Sequence, residues 1–141
     1  MTFRKIILSA FFIFLFPLAV CFPADTPLEK RMNQMRKSFR ELKKAMEAPV
    51  EADKAKYLEW VAELKKASEE AKAMEPKKAA SVPDDQKKAF VEGYQRKMGE
   101  SISKIEELGQ AIEAGKWAEA KTLIGQINQI QREGHNKYRG N

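Results

Sequence analysis

The sequence is poor in the residues that build disulfides and most metal sites. Its 141 residues include one cysteine, Cys21, and one histidine, His135. Because Cys21 lies in an apolar N-terminal stretch, a chain that loses this stretch has no disulfide and must hold itself together by packing. A zinc site of the usual kind needs several cysteine or histidine ligands and is therefore excluded. The sequence also shows no alternating strand pattern and no glycine-rich phosphate loop after a strand.

The N-terminal stretch has the features of a secretory signal peptide. Arg4 and Lys5 precede residues 6–20, which are almost wholly apolar, and charged sequence begins at Asp25. The stretch is short and is followed by no cluster of stop-transfer charges, so a signal peptide is favoured over a membrane span. We therefore expect an exported, periplasmic protein with no membrane span in its mature form.

The predicted signal peptide covers residues 1–24, with cleavage near residues 21–24, and the predicted mature domain covers residues 25–141. This length suits one domain with one core. An alternative is lipid attachment at Cys21, because residues 18–21 read Leu-Ala-Val-Cys and half resemble a lipoprotein signal. The valine before the cysteine is larger than such a signal prefers.

The mature chain is only mildly basic. Removal of Arg4 and Lys5 lowers the net charge from +6 to +4, and lysine and glutamate are mixed along the sequence. Such mixing is typical of a solvated surface, whereas a nucleic-acid footprint needs a basic patch. We therefore expect no nucleic-acid partner.

Apolar residues of the mature chain recur every three or four positions, which is the pattern of amphipathic helices. A capping box, Thr26 to Glu29, begins the first helix, and Gly115 suits the end of the third. The predicted helices span residues 27–47, 50–74, 84–114 and 117–139, with a loop over residues 75–83. Two short connections and one longer one predict an all-α, antiparallel, up-down-up-down four-helix bundle.

Each predicted helix has one inner face. The inner positions are Leu28, Met32, Met35, Phe39, Leu42 and Met46 in the first helix; Val50, Tyr57, Val61, Leu64, Ala71 and Met74 in the second, with Leu58 and Ala67 beside them; Phe90, Tyr94, Met98, Ile102 or Ser101, Ile105, Leu108 and Ile112 in the third; and Trp117, Ala120, Ile124, Ile127, Gln131, His135 and Tyr138 in the fourth.

One pair of inner residues has ligand chemistry. In this topology the start of the first helix and the end of the fourth share one end of the bundle. Met32 lies roughly 8 Å along the first helix, and His135 lies roughly 6 Å from the end of the fourth, at 1.5 Å per residue. A thioether and an imidazole at one level can hold a haem iron from both sides. The alternative is an ordinary core, because methionine fills irregular gaps and a histidine near a helix end is commonly half-buried.

Two end segments resemble the cytochrome b562 family. Residues 28–32 read Leu-Glu-Lys-Arg-Met and residues 135–139 read His-Asn-Lys-Tyr-Arg. In that family the methionine and the histidine of these segments are the axial haem ligands, and the similarity extends over essentially the whole mature chain. The resemblance implies a monomeric four-helix bundle that carries electrons through one haem, with Met32 and His135 on the iron.

The resemblance also implies further contacts to the haem. Two aromatic residues one turn apart line the haem in the family, which here implies Phe90 and Tyr94. The terminal arginine lies near the haem propionates, which implies Arg139. The chain departs from the family in that Tyr94 replaces a usual phenylalanine, Gly134 replaces a large residue, and the second and third helices are about one turn longer.

Covalent attachment of a haem through a C-x-x-C-H motif would need cysteines at positions 131 and 134, which are Gln131 and Gly134. The expected cofactor is therefore non-covalent haem b. With Met32 and His135 both on the iron, we expect electron transfer with a transient redox protein partner, and no enzyme activity. Two alternatives stay open: a haem-free exported bundle that binds a partner protein or acts in envelope stress, and a five-coordinate haem that binds a gas.

Overall fold

The computed structural model describes residues 25–140, which form an all-α structure without strands in that range. The predicted signal peptide, Cys21 included, lies outside the described residues. The four α-helices are α1 (Pro27–Ala45), α2 (Lys54–Lys72), α3 (Asp84–Glu113) and α4 (Trp117–Tyr138). Two short 3₁₀ helices, Glu51–Asp53 and Lys77–Ser81, precede α2 and α3.

Contacts between helix ends show that consecutive helices run in opposite directions, so the prediction of a four-helix bundle is confirmed. Each contact joins a residue near the start of one helix to a residue near the end of the next. The three contacts are Arg31–Glu70 between α1 and α2, Lys54–Glu113 between α2 and α3, and Phe90–Tyr138 between α3 and α4.

The core lies along the predicted inner faces. Its fully buried large side chains are Leu42, Leu64, Ile105, Leu108, Ile112 and Ile127. On α1 the buried side is continuous from Met35 to Met46, whereas Leu28 and Met32, one or two turns earlier, are only partly covered. The bundle is therefore tightly packed over most of its length and more open at the end where α1 begins and α4 finishes.

Capping explains where α1 begins and α3 ends. The Glu29 backbone N–H donates to Thr26 Oγ1 over 3.2 Å, and the Thr26 N–H donates to Glu29 Oε2 over 2.8 Å, which completes the predicted capping box. Gly115 has φ of 68°, a left-handed conformation that glycine adopts at little cost. The turn at Gly115 sends the chain directly into α4.

The prediction for the second helix was wrong at both ends. The chain after Pro49 is extended at Val50 and passes through the 3₁₀ turn before α2 begins at Lys54. Val50 is therefore 50% exposed rather than part of the inner face. Its backbone N–H donates to the Tyr57 hydroxyl over 3.2 Å, and this bond fixes the turn. At the other end α2 stops at Lys72, so Met74 lies beyond the helix and is partly buried.

The helix pairs are not packed equally. α1–α2, α2–α3 and α3–α4 are in extensive contact, whereas α1 and α4 touch at few positions. α1 and α4 therefore lie further apart than the other neighbouring pairs. We call this wider separation the groove, and a cleft opens in it at the end where α1 begins and α4 finishes. None of the described helices is long and apolar enough to cross a membrane.

Candidate functional site

A cleft of about 430 Å³ lies between the start of α1 and the end of α4, with α3 behind it. This volume falls within the range of small-molecule and cofactor sites, which is roughly 300–1,000 Å³. Its wall is mainly apolar and comes from Leu28, Met32, Met35, Tyr94, Met98, Ile130 and Tyr138.

The structure brings Met32 and His135 into the lining of this one cleft, from α1 and α4 respectively. Met32 is partly buried and His135 is exposed. Met35, one turn deeper along α1, also lines the cleft and is buried. Met98 of α3 lines the cleft as well, so the cleft offers one imidazole and three thioethers. An iron whose equatorial positions are filled by a porphyrin takes two further ligands. One imidazole and one thioether are enough to supply them.

Of the two predicted aromatic residues, Tyr94 lines the cleft and Phe90 does not. The Tyr94 hydroxyl donates to the Ala71 carbonyl over 2.7 Å, and burial raises the pKa of Tyr94 to about 12. This residue is therefore a neutral wall fixed to α2. The Phe90 ring packs edge-on against Tyr138, with 5.1 Å between ring centroids. Tyr138, which the sequence placed on the inner face but not at the site, lines the cleft in its place.

His135 is held in the form that binds a metal. Desolvation against the protein lowers its pKa below the ordinary value of 6.5, and the positive charges of Arg139 and Arg36 lower the pKa further. Neutral imidazole, with a free nitrogen lone pair, therefore dominates at pH 7. Neutral imidazole is the form that coordinates iron.

The mouth of the cleft carries more positive than negative charge. Arg36, Lys77, Lys97 and Arg139 line it, against Asp25 and Glu29. Glu29 bonds to Lys77, and the Lys97 ammonium is 2.7 Å from Glu100 and 3.2 Å from Glu133. No described acidic side chain forms an ion pair with Arg36 or Arg139. These two guanidinium groups are therefore available to carboxylates of a bound molecule.

The Lys97 side chain also shapes the wall next to His135. A Cβ placed on Gly134 would lie 3.7 Å from Lys97 Cγ, so the lysine stem packs against the glycine. Long basic side chains commonly bury their methylene stems in this way. The stem thus covers the backbone beside the histidine, where Gly134 itself provides no side chain.

Ser101 is a polar residue of the cleft that sequence reasoning did not assign to the site. It is 3% exposed and lines the cleft, and its Oγ has no hydrogen-bond partner among residues 25–140. The sequence left the inner position open between Ile102 and Ser101, and the structure places Ser101 there. A buried hydroxyl without a partner costs free energy, so this residue indicates that a polar atom or a water belongs beside it.

The comparisons with known proteins agree with this architecture. A sequence model described as cytochrome b562 matches residues 27–139, from the first residue of α1 to the residue after α4. A search of curated proteins found no match. The matched range contains every residue of the cleft wall named above, and it spans most of the chain. The chain therefore belongs to the cytochrome b562 family.

Proposed function

We propose that this protein is a periplasmic electron carrier that binds one non-covalent haem b in the α1–α4 cleft, with Met32 and His135 as the axial ligands. The observation that carries the proposal is that these two side chains line the same cleft, in a chain that belongs to the cytochrome b562 family. A bound haem would supply an iron that changes oxidation state by one electron. The side chains of the cleft determine where that iron sits and how strongly it is held.

The donor set and the wall fit a molecule with an apolar ring and acidic edges. Leu28, Met98 and Ile130 provide apolar surface, and Tyr94 provides a rigid aromatic face. At the mouth Arg139, with Arg36 next to it, would bind the propionates by charge-assisted hydrogen bonds. Phe90 would act indirectly, because its ring supports Tyr138.

Two side-chain ligands would leave no open coordination position on the iron. Such a centre exchanges electrons but does not readily bind oxygen or a substrate, so electron transfer is favoured over enzyme activity. Methionine opposite histidine raises the reduction potential of a haem. The lowered pKa of His135 assists by keeping its coordinating nitrogen unprotonated at neutral pH.

Absorption spectroscopy of purified residues 25–141, titrated with haemin and then reduced, tests the proposal. We expect saturation at one haem per chain and a low-spin six-coordinate spectrum. His135→Ala should lose this spectrum, because the sequence contains no other imidazole. Asn136→Ala, a change at an exposed neighbour, is the matched control and should keep it.

The other outcomes separate the alternatives. A chain that takes up no haem would support the haem-free bundle. A high-spin spectrum in the unmodified protein would support a five-coordinate haem that binds a gas. A low-spin spectrum that survives His135→Ala would contradict the assignment of His135.

A further inference from the structure

The positive charge of the molecule is concentrated on two helices. α1 carries seven lysine and arginine residues against two glutamates, whereas α3 carries five against seven acidic residues. α4 with Arg139 adds four basic residues against two acidic ones. The sequence suggested even mixing of charges, but the fold places α1 and α4 side by side and so gathers the excess on one face.

On α1 the cations continue from the cleft along the groove. Arg31 and Ser38 bond to Glu70 and Glu63 of α2, which identifies the side of α1 that faces α2. Arg36 lines the cleft on the other side. Positions four and seven residues further along a helix share its face. Arg40 and Lys43 therefore extend the row that begins at Arg36, and all three are exposed.

On α4 a second row borders the groove. Glu133 bonds to Lys97 and so faces α3, whereas His135 lines the cleft toward α1. By helical spacing, the exposed cations on the same side as His135 are Lys121, Arg132 and Arg139. No acidic residue lies between positions 119 and 133, where the polar side chains are mostly amides.

These six cations are almost free of partners within the described part of the chain. Arg40 Nε lies 3.9 Å from Glu41 Oε1, and no ion pair involves the other five. By contrast, five of the ten lysine and arginine residues of α2 and α3 form ion pairs, for example Lys65 with Glu106 and Lys87 with Glu75. Unpaired cations on both sides of a groove produce a positive potential that attracts and orients an acidic partner.

We propose that the basic groove, in which Arg40 and Lys43 of α1 and Lys121 and Arg132 of α4 continue outward from the two arginines assigned to the propionates, docks a soluble electron-transfer protein with an acidic surface. The redox character of the partner rests on the proposed function, because the groove leads to the mouth of the proposed haem cleft. A protein is favoured over an anionic membrane because Val50 is the one exposed large hydrophobic residue in the described range, so no group of apolar anchors accompanies these cations. Membrane-surface helices rely on apolar anchors beside their cations.

NMR titration of ¹⁵N-labelled residues 25–141 with a plant-type [2Fe–2S] ferredoxin, an acidic surrogate, tests docking without requiring haem. We expect amide signals of α1 and α4 along the groove to broaden or shift at low salt, and the effect to disappear at high salt. Arg40→Glu combined with Lys121→Glu should abolish it; neither residue lines the cleft. Lys66→Glu combined with Lys88→Glu makes the same charge change at exposed sites on α2 and α3 and is the matched control.

With haem bound, the rate of reduction by the surrogate gives a second readout. Charge steering predicts that the groove variant slows this reduction about tenfold or more at low salt, while the control variant changes little. Equal effects of the two variants, or no salt-sensitive binding, would overturn the proposal. Co-sedimentation with vesicles containing phosphatidylserine, lost only in the groove variant and without ferredoxin binding, would also overturn it in favour of a membrane. If the surrogate docks but the chain shows no Soret band after titration with haemin, the docking proposal stands and the haem assignment is contradicted.

Discussion

The Tyr138 hydroxyl occupies the space where a side chain at position 93 would begin, because a Cβ built on Gly93 would lie 2.8 Å from Tyr138 Oη. The missing side chain thus allows α4 to bring Tyr138 against α3. There its ring packs on Phe90 and Tyr94 and closes one wall of the cleft. This pair fixes the last turn of α4, which also carries His135.

Gly93→Ala should therefore destabilise the protein. The Tyr138 ring must move, and overpacking typically costs about 1–3 kcal/mol, which exceeds the roughly 1 kcal/mol that alanine gains over glycine in a helix. Gly125→Ala is the control, because no atom lies within 4 Å of a Cβ there and this change should stabilise. Urea unfolding measures both. Equal stabilisation by the two changes would show that the Tyr138 ring moves aside without lowering the free energy of unfolding.

The sequence was sufficient for the features that depend on local spacing. The capping box at Thr26, the turn at Gly115 and the inner face of α1 were predicted because they follow from residue type and helical period alone. The start of α2 was not predicted, since the extended conformation after Pro49 and the bond from Val50 to Tyr57 are fixed by tertiary packing.

The cleft shows the same division. Met32 and His135 could be placed at one end from topology and rise per residue. That Tyr138 lines the cleft in place of Phe90 could not be predicted, because this depends on how closely α3 and α4 approach at Gly93. Whether Ser101 or Ile102 takes the inner position likewise depends on the rotation of α3 about its axis. The helical period of the sequence fixes this rotation only to within one residue.

Replacement of Met32 should change the spectrum of the haem-loaded protein more than replacement of Met35. Met32→Ala is expected to convert the reduced form to a high-spin, five-coordinate species while the fold survives, because Met32 is only partly buried. Met35→Ala should keep the low-spin spectrum but lower the free energy of unfolding by about 2–5 kcal/mol, the usual cost of a buried methionine. The reverse pattern would place the ligand one turn deeper along α1.

The Tyr94 hydroxyl should contribute to stability more than to coordination. Tyr94→Phe removes the bond to the Ala71 carbonyl, which still accepts from the Met74 N–H over 3.1 Å, so a loss of about 0.5–1.5 kcal/mol is expected. The low-spin spectrum should persist, because the ring remains. Thermal unfolding and absorption spectra of the same samples measure the two effects. A lost six-coordinate spectrum would show that the hydroxyl positions the haem.

Acid should weaken both the fold and haem binding through His135. Its folded-state pKa lies below the ordinary 6.5, so the unfolded chain binds the proton more readily. The contribution to stability is complete above pH 6.5 and falls as the pH decreases through 6.5 toward the folded pKa. Protonation also removes the lone pair that would bind iron, so haem should dissociate over the same acid range. In the haem-free protein, His135→Gln should flatten the pH dependence of unfolding between pH 7 and 5; an unchanged slope would assign that dependence to other groups.

Haem should stabilise one end of the bundle far more than the other. Haem that binds the folded chain alone adds roughly 4 kcal/mol when its free concentration is a thousandfold above its dissociation constant. The far end needs no such help, because Leu42, Ile105 and Ile112 are fully buried without cofactor. The haem-free protein should therefore stay mostly helical but melt well below the loaded form. Hydrogen exchange should show the gain in protection at the start of α1, in residues 75–83 and in the last turns of α4. Equal protection of both forms at Met32 and His135, with no change in melting temperature, would contradict a haem site in this cleft and favour the haem-free bundle.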